Sequence, residues 1–518
     1  MDLTTLTFLP LGGALLLLLV PASGVRLQRL IALGCSLVTA LLGVQLWLHF
    51  DPAVLGPQHL VDHVWFSLPG LGSAVHYKLG VDGLSILMVA LTTVLMPVVI
   101  LSTWGHVTER VKEFMVWMLI METGMLGVFL ALDVVLFYFF WEVSLIPLYF
   151  LVGIWGGERR LYATVKFFLF TLAGSLVMMI GVIALVWRLQ SSDVGTLTEM
   201  ASLLSRSEQG WIFASFALAF AIKVPMVPVH TWLADAHTEA PTSGSVVLAG
   251  VLLKMGTYGL LRFGIAMFPG AALSAAPLFM GLGALGIVYG ALLAMAQTDL
   301  KRLIACSSVS HLGFVVLGLF AMTHAGLSGS LLQMVNHGIS TGLLFLLVGM
   351  IYERRHTRAL DQFGGIAASM PVFALFFVIA VLSSVGLPGL NGFVGEYLIL
   401  LGAFQANPLW AAIGVSGIVF GAVYLLMATR RVLFGPLDRP QNETLSDIGA
   451  REIGLMVPLV VLALWIGVAP NQFLGRARPA IDRLVERIDH ERSLRTAAEP
   501  AAADEGGRLA VLEGAGQR

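Results

Sequence analysis

Two lysines lie inside apolar stretches of the chain, where a charged side chain is costly. Lys223 ends the run SFALAFAIK, and Lys254 lies within VVLAGVLLKMGTYGLL. Each would cost about 2.5–3.5 kcal/mol at the centre of a bilayer, so both need a partner or water. Pro225 and Pro228 interrupt the first run directly after its lysine, and lipid cannot satisfy the carbonyls that proline frees. A broken helix beside a buried charge is typical of an ion path.

Two glutamates lie in similar surroundings. Glu142 stands in the aromatic run FYFFWEVSLIPLYFL, and Glu396 follows the glycine-rich and proline-rich segment SSVGLPGLNGFVGE. Because an unpaired carboxylate in apolar surroundings stays protonated, we expect Glu142 to pair with Lys223. The alternative is that Glu142 only satisfies a buried hydroxyl or backbone group.

Three histidines, His230, His311 and His337, lie in or beside apolar runs. A lone buried histidine is usually a satisfied core residue, but three beside two lysines and two glutamates indicate a proton relay. His230 follows Lys223 by seven residues, which in a continuous helix places both on one side about 10.5 Å apart. That distance requires a water between them.

The other polar candidates are open to simpler interpretations. Glu122 is predicted near a helix end, in a solvated, structural or functional role, and Lys166 either snorkels to the membrane surface or contributes to the path. Asp235, His237 and Glu239 are predicted in a turn at the membrane surface. The HExxH and HxxxH spacings are missing there, so no metal site is expected.

The chain carries no convincing cofactor motif. Gly281, Gly283 and Gly286 match GxGxxG, but no strand precedes them; glycines inside a helix favour close helix packing instead. Cys35 and Cys306 lack CxxC spacing and cannot hold a four-thiolate iron–sulfur cluster.

Composition indicates an all-α polytopic membrane protein. The 518 residues are 58% hydrophobic and 12% charged, whereas soluble domains have roughly 25% charged residues. The net charge of −1 indicates no nucleic-acid partner. The first residues, MDLTTLTFLPLGGALLLLLVP, lack a basic segment and predict a membrane span rather than a cleaved signal peptide.

Fourteen apolar runs are long enough to cross about 30 Å of hydrocarbon. They lie at 3–21, 28–48, 80–103, 114–131, 133–155, 162–188, 211–230, 242–265, 275–297, 300–322, 329–351, 371–404, 408–430 and 453–471. Alternation in the loop at 49–79 predicts a short hairpin. The segment RARPAIDRLVERIDHERSLR predicts an amphipathic surface helix, with disorder after about Thr496.

The two helix breaks divide the chain. Predicted helices seven and twelve are both interrupted, and they are five positions apart in the order of helices, an odd number, so they run in opposite directions. This predicts two inverted five-helix repeats. The predicted units are 1–112 with helices one to three and a long loop, 113–265 as the first repeat, 275–434 as the second, 435–475 with helix fourteen, and the tail 476–518.

Several segments together resemble a known family. FWEVSLIPLYFLVGIWGG, KVPMVPVHTWLADAHTEAPTSGS, DLKRLIACSSVSHLGFVVLG, NHGISTGLLFLLVGMIYERRHTRALDQFGG and LPGLNGFVGEYLILLGAF are similar to the chain M, or subunit-4, family of proton-pumping NADH:quinone oxidoreductase, respiratory complex I. The similarity extends over most of residues 80–434. One departure is Ala234, where the family more often has proline.

The resemblance implies an antiporter-like subunit of the membrane arm without a redox centre of its own. FMN, iron–sulfur clusters and quinone would then lie in partner subunits, and the neighbours would be other antiporter-like chains. Separation of a pair about 4 Å apart would change their attraction by roughly 4 kcal/mol at an effective dielectric of 20, which would drive the relay. Carried over by motif, the path begins at Glu142 and Lys223, continues through Lys254 and ends at Glu396, with His230, His311 and His337 as the connecting axis.

Two other classes of function stay open. Subunits of Mrp-type sodium/proton antiporters share the Glu-Lys-Lys pattern, but related antiporter-like subunits more often have lysine where this chain has Glu396. A passive scaffold that only connects its neighbours is the third class, and for it the buried charges would be dispensable.

Charge predicts orientation, because Lys and Arg accumulate in short cytoplasmic loops. Fifteen Lys and Arg residues lie in the first loop and in every second loop after it, on one side of the membrane. Four lie in the loops on the other side. We therefore expect both termini on the non-cytoplasmic side, in the inner membrane of a bacterium.

Labelling of a cysteine introduced at Ser23 tests this orientation. A membrane-impermeant thiol reagent should reach Ser23→Cys only after the cells are permeabilised, since this loop is predicted to be cytoplasmic. A cysteine in the loop at 49–79 provides the reference for labelling from outside. Labelling of Ser23→Cys in intact cells would reverse the assignment.

Overall fold

The computed structural model describes residues 2–67, 70 and 72–515, with side chains through residue 497, and consists mostly of helices. In chain order these are α1 Leu3–Leu19, α2 Val25–His49, α3 Ile86–Ser102, α4 Val111–Leu130, α5 Val134–Trp155, α6 Arg160–Leu189, α7 Val194–Met200, α8 Arg206–Lys223, α9 Thr231–Glu239, α10 Thr242–Ile265, α11 Pro269–Met295, α12 Leu300–Ala321, α13 His324–Arg355, α14 Ile366–Ser369, α15 Pro371–Val385, α16 Asn391–Ala406, α17 Pro408–Leu433, α18 Pro440–Glu443, α19 Ala450–Val468 and α20 Asn471–Ala515. Strands β1 Gln58–Phe66 and β2 Val75–Val81 precede α3.

The prediction of a polytopic membrane protein is confirmed. Within the described ranges, ten helices are long and apolar enough to cross a bilayer, and three more apolar helices, α1, α3 and α15, are shorter. The count of fourteen spans stays a prediction.

Three helices form the centre of the bundle. The most apolar windows of α10, α12 and α13 are buried throughout, whereas those of α2, α17 and α19 are largely exposed. A helix that is apolar on all sides belongs in an interior. Polar side chains on α10, α12 and α13 are therefore surrounded by protein rather than by lipid.

Both predicted helix breaks are present. α8 ends at Lys223 and α9 begins at Thr231, and α15 ends at Val385 before α16 begins at Asn391. Gly386 and Gly389 have φ of +83° and +94°, a left-handed region that other residues avoid. The second break therefore depends on its glycines.

The hairpin predicted in the loop at 49–79 is also confirmed. β1 and β2 pair antiparallel, with Asp62 opposite Lys78. The ammonium of Lys78 forms an ion pair with Asp193, and this contact attaches the hairpin to the segment before α7.

The tail helix α20 lies along one face of the bundle, as the amphipathic pattern predicts. Ala477, Ile481, Leu484 and Ile488 are buried at helical spacing. Guanidinium groups of the tail donate to carbonyl oxygens near the ends of three different helices, those of Trp47 on α2, Thr198 on α7 and Gly270 on α11. The disorder predicted after about Thr496 falls beyond the described side chains.

Glycines determine how closely α11 and α12 pack, which confirms the packing role expected for the GxGxxG segment. A Cβ atom on Gly283 would lie 2.9 Å from the backbone nitrogen of Leu317, and one on Gly290 would lie 2.5 Å from that of Ser310. A Cβ on Gly286 would meet nothing closer than 3.6 Å. The two helices therefore touch through their backbones at Gly283 and Gly290.

These distances predict different effects for two alanine substitutions in α11. Gly290→Ala should destabilise the protein by about 1–3 kcal/mol, since the backbone of α12 must shift. Gly286→Ala is the matched control, because both changes gain the same helix propensity. Thermal denaturation of the protein in detergent and its yield in membranes measure the difference. Equal melting temperatures for both variants would show that this contact is not limiting.

Candidate functional site

Lys254 is completely buried in α10. It lies between two π-helical turns, Leu248–Leu252 and Leu260–Ile265, a local irregularity that is frequent at functional sites. Its Nζ donates to the carbonyl oxygen of Ala249 and lies 2.7 Å from Nδ1 of His337. The lysine on α10 and the histidine on α13 thus meet although 83 residues separate them.

Two further contacts extend from the pair of Lys254 and His337. The rings of His337 and His311 lie with their centroids 5.7 Å apart. Nδ1 of His311 lies 3.2 Å from Oε1 of Glu396, directly beyond the break between α15 and α16. The structure therefore joins Lys254, His337, His311 and Glu396 into one buried series of titratable groups.

The partners of the two histidines assign their hydrogens. With Lys254 as an ammonium, which can only donate, Nδ1 of His337 accepts from it and the ring hydrogen lies on Nε2. That Nε2 has no other partner among the described residues. Nδ1 of His311 faces a carboxylate, which accepts, so His311 carries its hydrogen on Nδ1 and has a free lone pair on Nε2. The two rings thus hold complementary tautomers.

Amide side chains hold Glu396 in place. Nε2 of Gln333 donates to Glu396 at 3.2 Å, and Nδ2 of Asn336 donates to Oε1 of Gln333 and to the carbonyl oxygen of Asn391. Nδ2 of Asn391 donates back to the carbonyl oxygen of Asn336. A Cβ atom on Gly386 would lie 3.0 Å from Oε2 of Glu396. Residues of the second helix break and amide side chains of α13 therefore enclose the carboxylate of Glu396.

Lys223 and Glu142 do not form the direct contact of about 4 Å assumed from the sequence. Among the described residues, no ion pair joins them, and Nζ of Lys223 lies over the indole of Trp141, 4.7 Å from its centroid. Oε1 of Glu142 is buried without a hydrogen-bond partner. Trp141 directly precedes Glu142 on α5, and its indole lies beside the ammonium of Lys223. The face of the indole ring attracts this cation.

His230 stands apart from the buried series. The helix that would align it with Lys223 ends at Lys223 itself, so the expected 10.5 Å spacing along one helix is wrong. Its ring contacts Tyr289, with centroids 5.3 Å apart, and its Nδ1 has no partner among the described side chains.

Lys166 and Asp235 form an ion pair of 2.7 Å. Lys166 therefore does not snorkel alone, and Asp235 does not lie in open solvent. The prediction of a surface turn is clearly wrong for His237, which is completely buried and stacks on Phe345 with centroids 4.8 Å apart. Neither ring nitrogen of His237 has a partner among the described residues.

Lys301 is one of the fifteen basic residues counted in the short loops, and it also lies at the start of the predicted span 300–322. It is buried in the first turn of α12, where its Nζ donates to the carbonyl oxygen of Ala240. Lys301 lines a cavity of about 640 Å³ together with Glu239, Ser243, Asp299 and Arg358. This polar vestibule opens on the side of the loops that carry most basic residues.

His237 and Lys301 are the residues that sequence reasoning missed. His237 follows Lys223 by fourteen residues and was set aside because it lies between charged neighbours in a polar turn. The signal available was the regular spacing of Trp232, Leu233 and Ala236, which predicts that the turn itself is a helix with a buried face.

Glu122 is fully buried on α4, and neither carboxylate oxygen has a partner within the described structure. The solvated interpretation of this residue is therefore wrong. Its neighbourhood includes Cys35 on α2, and it is not connected to the series ending at Glu396. In the part of the chain that the structure describes, no group of three or more His, Cys, Asp or Glu could hold a metal ion.

Comparison with protein families places this geometry in context. The family described as NADH:quinone oxidoreductase/Mrp antiporter, TM, matches residues 131–421. The matched range includes Glu142, Lys223, Lys254 and Glu396.

Individual relatives agree with the family match. NADH-quinone oxidoreductase subunit M of Rhodobacter capsulatus is 46% identical over 500 residues, which is 93% of this chain and 96% of the relative. A chain of respiratory complex I from Thermus thermophilus with bound NADH aligns with a TM-score of 0.84 at 33% identity, covering 93% of this chain and 99% of that one. A chain of the Mrp complex from a Dietzia species aligns with a TM-score of 0.80 at 21% identity, covering 95% and 99%, which shows a common fold alone.

Proposed function

This chain belongs to the membrane-spanning family of NADH:quinone oxidoreductase and Mrp antiporter subunits, as an antiporter-like subunit M of the complex I membrane arm, and from this premise we propose that it moves protons through the buried series from Lys254 to Glu396. The contact of Lys254 with His337 carries the proposal. Lys254 is a completely buried amine whose Nζ lies 2.7 Å from a ring nitrogen, within the range for proton transfer.

The tautomers define the steps. Lys254 passes a proton to Nδ1 of His337, which releases its own proton from Nε2 toward Nε2 of His311. His311 then gives its Nδ1 proton to Glu396 across 3.2 Å. The first and last transfers follow contacts of 2.7 and 3.2 Å, and the middle transfer crosses between two rings whose centroids lie 5.7 Å apart.

Lys223 and Glu142 start the cycle as a switch. An ion pair about 4 Å apart is stabilised by roughly 4 kcal/mol at an effective dielectric of 20, relative to the widely separated charges. Moving one proton against 100 mV costs about 2.3 kcal/mol, so a change of this size suits one proton. The indole of Trp141 holds the ammonium while the pair is open. His230 connects this part of the path to water.

The polar vestibule supplies protons from the cytoplasm. It reaches Lys301, and the buried ring of His237 interacts electrostatically with both Lys301 and Lys254. His237 thus continues the axis toward Lys254, in a place that we first assigned to the membrane surface.

The finer architecture is fourteen spans with two inverted repeats, helices four to eight and nine to thirteen. Two matching contacts support the repeat. Asp133, which begins α5, forms an isolated β-bridge with Asp193, and Asp299, which begins α12, forms one with Ala359. Each bridge joins the start of the second helix of a repeat to the connection before its interrupted helix. The domain limits at 113–265 and 275–434 follow from this assignment.

The setting is the inner membrane of a bacterium, with both termini non-cytoplasmic. The neighbours are other antiporter-like chains of the membrane arm. FMN, iron–sulfur clusters and quinone lie in partner subunits, and this chain has no redox centre. A passive scaffold would not need a buried lysine joined to a carboxylate through two histidines. The Mrp-type sodium/proton antiporter is supported by the common fold and not by comparable identity.

Substitutions of Glu396 test the relay at its end. Glu396→Ala leaves no titratable group in the break and should slow coupled proton uptake about tenfold or more, since a positioned proton carrier contributes roughly 10²-fold to a transfer. Glu396→Gln keeps the hydrogen bond from Gln333 and should be nearly as slow. Glu396→Lys should retain partial activity.

Proton uptake into inverted membrane vesicles, measured beside NADH oxidation, reports these effects. Glu443→Ala, a change of an exposed carboxylate on α18, provides the control and should pump at the wild-type rate. Full and equal activity of the Ala, Gln and Lys variants of Glu396 would refute its role as a proton carrier.

Glu142→Gln tests the switch. It removes the charge and little volume, so the complex should assemble while pumping and quinone reduction fall several-fold; Glu142→Asp should retain more activity. Glu113→Gln, which alters an exposed ion pair with Arg110, is the matched control. Wild-type pumping by an assembled Glu142→Gln complex would favour the interpretation in which Glu142 only satisfies a buried polar group.

A further inference from the structure

A groove of about 1260 Å³ lies on the outside of the bundle between α8, α11 and the tail helix α20. Its walls are apolar along most of their length, with Ala217 and Leu218 on α8 facing Leu278 and Leu282 on α11. Leu218 and Leu278 are exposed. The groove is separate from the buried series that we assign to proton transfer.

One end of the groove is strongly basic. Among its lining residues are three arginines, Arg206, Arg487 and Arg495, with His490 and a single acidic residue, Glu491. Arg206 begins α8, and the other two arginines reach the rim from α20.

The tail arginines are held at the rim by the fold. Arg487 donates to the carbonyl oxygen of Thr198, and Arg495 donates to the carbonyl oxygen of Gly270 and to Oγ of Ser274 at 2.8 Å. Nε of Arg495 is buried and has no acceptor among the described residues. Arg206, by contrast, is exposed and makes no hydrogen bond or ion pair among the described residues, so its guanidinium is free to donate at the rim.

The length of the groove identifies its occupant. From Arg206 to Ala221, α8 rises about 22 Å, and from Pro269 to Leu282, α11 rises about 20 Å. One leaflet of a bilayer, headgroup included, is about 20–22 Å thick. The groove has cationic donors at one end, and its apolar walls are as long as one leaflet is thick. These two properties match the headgroup and the acyl chains of a phospholipid.

We propose that this groove binds a phospholipid with an anionic headgroup. The phosphate lies against Arg206, Arg487 and Arg495, and the acyl chains follow α8 and α11 toward the bilayer centre. Excess positive charge at the rim selects anionic over zwitterionic headgroups, since each Lys or Arg near a membrane surface contributes about 1 kcal/mol to attraction of anionic lipid.

The inner end of the groove gives the lipid a structural role. Met226, Val227 and Pro228, which form the break after Lys223, line that end. Acyl chains there cover backbone that would otherwise face mobile lipid in the middle of the membrane. This role does not depend on the path that the protons take.

Photolabelling of the intact complex in nanodiscs tests the proposal. Phosphatidylglycerol with a diazirine on its acyl chain should label peptides of α8 and α11, and the matching phosphatidylcholine probe should label them much less. Arg206→Gln should lower labelling by phosphatidylglycerol about fivefold, the factor for one arginine, and Arg206→Lys should retain most of it. Arg492→Gln, on the same tail helix but paired with Asp489, should leave labelling unchanged.

Undiminished NADH oxidation by the Arg206→Gln complex establishes that the variant is folded and assembled. Equal labelling by both probes, or labelling that Arg206→Gln does not reduce, would overturn the proposal. It would also be overturned if benzoylphenylalanine in place of Leu278 captured another subunit of the complex instead of lipid, because a protein would then fill the groove.

Discussion

The whole arrangement depends on one constraint, the inability of hydrocarbon to hydrogen-bond. A buried ammonium such as that of Lys254 is tolerable only where protein groups surround it on all sides. The chain meets this requirement by placing its most enclosed helices, α10, α12 and α13, at the centre of the bundle. Each of them carries one member of the series, so enclosing the charge and connecting the relay are achieved by the same packing. The polar groups of the second break, Gln333 and Asn391 among them, enclose Glu396 in the same way.

The sequence predicts the spans and the two breaks well, because apolar length and the positions of proline and glycine are local properties. It also identifies the types of residue that form the buried series. It does not predict which of them meet. His337 contacts Lys254 through the packing of α13 on α10, and no local pattern encodes that contact. The direct contact of about 4 Å assumed between Glu142 and Lys223 is not formed, because Trp141 lies beside the ammonium, although the two charges interact electrostatically.

Errors concentrate where a helix continues into a segment that composition makes look like a loop. The polar turn after Lys223 forms α9, so His237 turns inward rather than toward solvent. Lys301 belongs to the first turn of α12, which buries a residue that a charge count assigns to a loop. In both cases tertiary packing determines whether the side chain is buried, and it outweighs the polarity of the neighbouring residues in the sequence. The pair of Lys166 with Asp235 likewise joins two distant segments.

The complementary tautomers assigned to His337 and His311 limit how the proposed path can operate. A proton that enters one face of each ring leaves from the opposite nitrogen, so its passage reverses both tautomers. The next proton then meets a hydrogen at Nδ1 of His337 where a lone pair was needed. Both rings must turn over before the path conducts again. The pair therefore passes at most one proton for each reorientation of both rings, and that reorientation sets the rate of any leak driven by the membrane potential.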